Sequence, residues 1–206
     1  MKQTLNFLLV GVGGQGTILA SDVLSQVGFA AGYQVKRAEV HGLSQRGGSV
    51  TSHVRWAEKV ASPLAGEGEV NVLLAFEKLE ALRFLGAVRH NALVVVNLEA
   101  IVPIAVSSLG QHYPDDARLR AAIADVTPHA AFVDGPEIAR SLGDPRVTNT
   151  ILLGTLSRML EVQALTGTEL TETIWLDVLA ARVPPASIAI NTHAFQLGRS
   201  VACGLA

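Results

Sequence analysis

The stretch VGVGGQG, residues 10–16, constrains this chain more than any other part of it. It follows the apolar run Phe7-Leu8-Leu9-Val10 and leads into TILASDVLSQVGFAAG, whose apolar residues recur at helical spacing up to Gly32. Gly11, Gly13 and Gly16 stand in G-x-G-x-x-G register between the two. In that register Gly11 can make a tight turn, Gly13 can let a ligand approach the backbone, and Gly16 can let the helix pack on the strand. The free N–H groups of Gly13, Gly14 and Gly16 at the helix start would favour an anion. A dinucleotide fingerprint also asks for an acidic residue near the end of the second strand, and Glu39 stands near that place. The same glycines equally make a strand-to-helix turn that holds no nucleotide. Gln15, polar and mid-turn where a phosphate would lie, counts against a simple dinucleotide site.

The alternation of strand and helix continues beyond the turn. LNFLLV (5–10) reads as a strand buried on both faces. YQVKRAEV and SVTSHVRWA are the second and third strands, EVNVLLAF and NALVVVNL are continuous apolar strands, and HAAFVDG is another. VPIAVSS (102–108) fits a short edge strand, where Pro103 is tolerated. EKLEALRFLGAV, DDARLRAAIADV and PEIARSLG carry helical patterns, and the chain from Arg146 onward is helical with a break at Pro184-Pro185. No repeat, low-complexity tract or long linker interrupts it. The expected fold is α/β: an open, mostly parallel, Rossmann-like sheet with helices on both faces. Residues 1–206 form one domain, with the C-terminal helices of 146–206 packed on the sheet or covering a partner.

Composition narrows the function. The net charge of −2 leaves no basic excess to hold a phosphate backbone, which argues against nucleic-acid binding. No apolar run is long enough to span a bilayer, and the N-terminus reads as a buried strand cut short by glycine rather than as a signal peptide, so a cytoplasmic protein is expected. With charged residues at only 17%, the surface is either suited to a large partner interface or simply encloses a core of small residues. Cys203 is the single cysteine, so neither an internal disulfide nor an all-cysteine iron–sulfur cluster can be built within this chain. His53, His112, His129 and His193 are scattered, and none pairs with an acid at metal-ligand spacing; no metal site is expected. Trp56 and Trp175 read as core or interface anchors.

A second, denser polar cluster follows the second strand: EVHGLSQRGGSVTSHVR, residues 39–55. It gathers Glu39, His41, Ser44, Gln45 and Arg46 around Gly42, Gly47 and Gly48. Such a loop either carries function or is only solvated. Arg46 can hold a carboxylate or phosphate through paired hydrogen bonds, or form an ion pair with Glu39. His41 can transfer a proton or simply hydrogen-bond within the loop. Ser44 suits a turn cap. Asn149, late in the chain, either caps a helix or reaches the same cleft.

Taken together, GVGGQG, AEVHGLSQRGGSVTSHVR, SPLAGEGEVNVLLAFEKLEALR and the late NTILLG resemble the gamma-type domain of the 2-oxoacid:ferredoxin oxidoreductases. The resemblance covers nearly the whole chain, and the EVHG-x-SQRGG wording is most similar to the branch that acts on indolepyruvate. It implies oxidative decarboxylation of a 2-oxoacid, with coenzyme A accepting the acyl group and ferredoxin the electrons. It implies that thiamine diphosphate, magnesium and the iron–sulfur clusters reside on a larger partner subunit and that this chain alone holds no cofactor. The lone cysteine agrees with that division. So does the lack of a G-D-G…N motif, since Asp134-Gly135 has no asparagine at the needed spacing. It places His41, Ser44, Gln45 and Arg46 at a subunit interface facing the partner's active site or a coenzyme A path, with His41 and Arg46 as candidate catalytic residues. Gly11, Gly13, Gly14, Gln15, Gly16, Ser44, Gln45 and Asn149 are the candidate cofactor-binding residues. Two other readings stay open from the residues alone: an independent NAD- or FAD-dependent oxidoreductase, and a non-catalytic assembly or ligand-sensing module.

Overall fold

A computed structural model describes residues 2–41, 47–103, 112–166 and 170–203. Its centre is one six-stranded sheet in the order β2-β3-β1-β4-β5-β6. The strands are β1 (Leu5–Val12), β2 (Gln34–His41), β3 (Ser49–Ala57), β4 (Val70–Ala75), β5 (Val88–Asn97) and β6 (Ala130–Val133). β1, β4, β5 and β6 run parallel. Their apolar runs are buried on both faces, as parallel strands flanked by helices require.

Strand alternation divides the core in two. Phe7, Leu9, Val72, Leu74, Leu93 and Val95 point to one face. That face is covered by α1 (Thr17–Ala30), α5 (Thr148–Val162), α6 (Glu172–Arg182) and α7 (Ile188–Cys203). Leu8, Val10, Leu73, Val94 and Val96 point to the other, against Ala81 of α2 (Lys78–Arg83) and Leu119 and Ile123 of α3 (Asp116–Ala124). α4 (Gly135–Ser141) follows β6 and starts on Asp134, whose side chain accepts the Glu137 N–H as an N-cap. Trp56 and Trp175 are both core residues: Trp56 lies between Phe7 and Tyr33, and Trp175 sits beside Phe195. Gly28 gives Trp56 its place, because a Cβ there would come within 2.5 Å of the indole.

The sheet is mostly parallel, as expected, and its antiparallel pairing is confined to one strand. β3 is antiparallel to both of its neighbours, β1 and β2. The physical reason is loop length. A parallel pair needs a crossover of about a dozen residues, and the 42–48 connection is too short, so β2 and β3 form a hairpin-like pair. β3 then inserts next to β1 and pushes β2 to the sheet edge. The helical reading of 77–88 is also shortened: α2 ends at Arg83 and a 3₁₀ turn, Leu85–Ala87, leads into β5. Of the expected edge strand 102–108, residues 102 and 103 are irregular and 104–108 lie outside the described residues. The break at Pro184-Pro185 is present, with a 3₁₀ turn at Pro185–Ser187 between α6 and α7.

Candidate functional site

The glycine turn is built differently from its sequence register. Gly11 lies within β1 and makes no turn. Its missing side chain instead leaves room for Gln15 and Phe76, which a Cβ would approach to 2.9 and 3.0 Å. The turn falls at Gly13-Gly14, closed by the Gln15 N–H donating to the Val12 carbonyl at 3.1 Å. Gly14 (φ 109°) and Gly16 (φ 77°) both take positive φ, which side-chain-bearing residues avoid. Gly16 is the N-cap of α1 and packs on Asn149 of α5, not on the strand. Asn149 Nδ2 donates to the Gly16 carbonyl at 3.3 Å, so Asn149 does reach the turn from the late helix.

Gln15 points inward, towards the strand ends. Its Oε1 accepts the Val12 N–H at 2.8 Å, and its Nε2 donates to the Phe76 carbonyl at 2.9 Å and to Glu99 Oε2 at 3.0 Å. Asn97, buried at the end of β5, repeats the pattern. Its Nδ2 donates to the same Phe76 carbonyl at 3.0 Å and to Glu99 Oε2 at 3.2 Å, while its Oδ1 accepts the Gly135 N–H at 3.2 Å. Two carboxamides and one carboxylate thus tie together the ends of β1, β4 and β5 and the start of α4. The polar atoms of Gln15 are thus already engaged within the fold, by Val12, Phe76 and Glu99. The Gly13 N–H is engaged as well, donating to the Gly48 carbonyl at 2.8 Å.

That last bond joins the glycine turn to the second polar loop. Gly47 N–H donates back to the Gly13 carbonyl at 3.4 Å, and Val12 pairs with Ser49 at the start of β3. The Ser49 hydroxyl donates to the buried Glu80 of α2, which also accepts from Arg83 at 2.8 Å. His41 ends β2 opposite Val50, so the backbone brings it to the same edge of the sheet. Ser44, Gln45 and Arg46 lie outside the described residues. Glu39 is displaced by the inserted β3. It stands level with Leu9, two strand spacings of about 5 Å each from β1, and its described ionic contact is with Arg37. A ribose held on the glycine turn would be out of its reach.

The carboxyl ends of β1, β4 and β5 open into a cleft of about 1210 Å³, its solvent mouth included. The glycine turn, Glu99, Arg140, Arg146 and Asn149 line it. Arg146 is locked to Asp144 by paired bonds of 2.9 and 2.7 Å, and this holds the Asp144 carboxyl down to about 2. Arg140 pairs with Glu137. On the far side of β4, Glu77 caps α2 and accepts from the Ile101 N–H and the Tyr113 hydroxyl; burial and this bond push the Tyr113 hydroxyl up. Glu99, Asn97, Arg140 and Arg146 escaped the sequence reading. Asn97 and Glu99 did carry a signal: they directly follow the apolar run of β5, at the strand end where open α/β sheets collect ligands.

The family model described as pyruvate ferredoxin/flavodoxin oxidoreductase matches residues 6–201 of this chain. The chain belongs to that family.

Among curated relatives, indolepyruvate oxidoreductase subunit IorB of Thermococcus kodakarensis is 36% identical over 94% of this chain and 93% of its own length. The Archaeoglobus fulgidus subunit of the same name is 39% identical over 74% of this chain and 75% of its own. Among solved structures, the keto/oxoacid ferredoxin oxidoreductase gamma subunit of Geobacter sulfurreducens superposes with a TM-score of 0.68 at 19% identity, covering 97% of this chain and 99% of that one. The 2-oxoglutarate:ferredoxin oxidoreductase of Magnetococcus marinus gives a TM-score of 0.74 at 19% identity, covering 100% of this chain but 32% of that longer one. The fold of this oxidoreductase-family chain is therefore shared with stand-alone gamma subunits and with part of a longer chain.

One cysteine cannot supply an all-cysteine cluster. Asp134 Oδ1 caps α4 by accepting the Glu137 N–H, and the Gly135 N–H donates to Asn97 Oδ1. Among the described residues no helix is long and apolar enough to cross a membrane.

Proposed function

We infer that this chain is the small subunit of a 2-oxoacid:ferredoxin oxidoreductase acting on an aryl pyruvate such as indolepyruvate. The observation that carries this reading is similarity along nearly its whole length to indolepyruvate oxidoreductase subunits. The family model spans residues 6–201, so both polar loops and most of the late helical part fall within the matched region. The reaction is oxidative decarboxylation in the cytoplasm. The substrate loses carbon dioxide, the acyl group passes to the coenzyme A sulfur, and the electrons pass to ferredoxin. Thiamine diphosphate with magnesium supplies the carbanion chemistry from a larger partner subunit, which also carries the iron–sulfur clusters. This chain contributes the surface formed where the glycine turn meets Gly47 and Gly48. That surface faces the partner's active site, and the cleft beside it receives the anionic part of coenzyme A. The N–H groups at the start of α1 and the guanidinium groups of Arg140 and Arg146 supply the positive side of that cleft.

The test is co-expression with candidate large subunits, followed by an assay on several 2-oxoacids with an artificial electron acceptor. Activity is expected only in the complex, with aryl pyruvates preferred over pyruvate and branched-chain oxoacids. Oxidation of indolepyruvate by the purified chain alone would sink the division of labour. Equal rates on all oxoacids would sink the substrate assignment.

A further inference from the structure

We propose that Gln15 is a positioning residue, coupled to Glu99, that holds the glycine turn in the conformation its cleft needs. The inference uses the cleft reading above for its kinetic arm but rests on geometry of its own. The chemistry of the partners settles the orientation of the Gln15 carboxamide. An N–H from Val12 can only meet the oxygen, and the Phe76 carbonyl can only meet the nitrogen. The side chain therefore accepts on one side and donates twice on the other, to Phe76 and Glu99. Glu99 Oε2 takes both carboxamide donors, from Gln15 at 3.0 Å and from Asn97 at 3.2 Å. Asn97 is buried and held at its other end by Gly135, so it is a fixed post. Gln15 is the arm that carries that fixed position to the turn. Gly11 completes the device: any larger residue would occupy the space through which Gln15 reaches the strand ends.

A glutamate at position 15 can still accept from Val12 but cannot donate. It loses the bonds to Phe76 and Glu99 and sets two carboxylates side by side, a pair that ionises fully only at a cost. A glutamine at position 99 supplies the missing donor. The two sites are therefore predicted to compensate each other. Arg140 and Arg146 line the same cleft, but each already has a carboxylate partner, Glu137 and Asp144.

The experiment uses the complete complex with its large subunit and four forms of this chain: wild type, Q15E, E99Q and Q15E/E99Q. Three quantities are read: amide hydrogen exchange of residues 13–19, and kcat and KM for coenzyme A between mildly acidic and mildly basic pH. Q15E is expected to speed exchange of the turn by about tenfold, as loss of charge-assisted hydrogen bonds allows. It should also raise KM for coenzyme A more than it lowers kcat, with the defect shrinking towards acid as one carboxylate takes up a proton. E99Q removes the charge but keeps an acceptor oxygen for Gln15 and Asn97, so it is the reference for the pair, and the double variant is expected to return close to E99Q. A general loss of stability would show neither the recovery at low pH nor the rescue by E99Q. If Q15E cannot assemble with the partner, renewed assembly of the double variant is the same rescue. Unchanged exchange in Q15E, or a double variant as poor as Q15E, overturns the proposal. Coupled exchange with an unmoved KM for coenzyme A leaves the positioning role standing and overturns the cleft reading.

Discussion

At the scale of single residues, the positive φ of Gly16 is the sharpest constraint. A Cβ in that backbone conformation is strained and would also overlap the Asn149 carboxamide. Gly16→Ala is expected to cost about 1–2 kcal/mol, read as a lower urea midpoint with an unchanged slope. His53 makes a second prediction. It sits in β3 between Leu8 and Ala38, with Nδ1 buried and without a hydrogen-bond partner among the described residues. Burial, then the Arg55 charge, lowers its pKa. The unfolded chain thus takes up this proton more readily than the folded one, so the contribution is intact above the unfolded value of about 6.5 and is lost as pH falls below it. Urea midpoints of wild type should decline from neutral pH into mild acid, and His53→Gln should flatten that decline. An unchanged slope in the variant would place the decline elsewhere. The glycine spacing was legible in the sequence, but the work of each glycine was not. Gly11 matters for the space it leaves to Gln15, and Gln15 is bound to groups 61 and 84 residues away. No local pattern encodes such partners.

At the scale of elements, the contact between α5 and α7 depends on two glycines. A Cβ at Gly154 would overlap the Phe195 carbonyl, and one at Gly198 would overlap the Ile151 carbonyl. Both obstacles are backbone, which cannot rotate aside. The close approach also lets Thr155 Oγ1 donate to the Gly198 carbonyl at 2.8 Å and Thr150 Oγ1 to Asn191 Oδ1 at 2.6 Å. Gly198→Ala is therefore expected to destabilise by about 1–3 kcal/mol or more by forcing the helices apart, despite alanine's better helix propensity, with thermal unfolding as the measure. An unchanged melting temperature would mean that the helices separate without loss. Helical spacing alone marks Gly154 as a weak point in a long helix; the crossing turns it into a packing requirement. The hairpin nature of β2 and β3 was implicit in the short 42–48 connection, whereas the insertion of β3 beside β1 was not. Either order of the two strands satisfies the same alternation.

At the scale of the whole molecule, the sheet order decides what the glycine turn can bind. With β3 between β1 and β2, Glu39 cannot reach a ribose on the turn, so calorimetric titration with NAD is expected to give no binding heat. Micromolar binding weakened by Glu39→Gln would contradict the strand order. The purified chain should be colourless and devoid of clusters, because it carries a single cysteine. The sequence by itself determined the α/β class, nearly every element, the two-sided core and the family, because each of these is written in local periodicity, turn chemistry and contiguous motifs. Only the tertiary structure decided that β3 separates β1 from β2, that the glycine turn is bonded to Gly47 and Gly48, and that Asn97 and Glu99 anchor Gln15. Those facts are hydrogen bonds between residues far apart in the chain, and they exist only once the strands have chosen their neighbours.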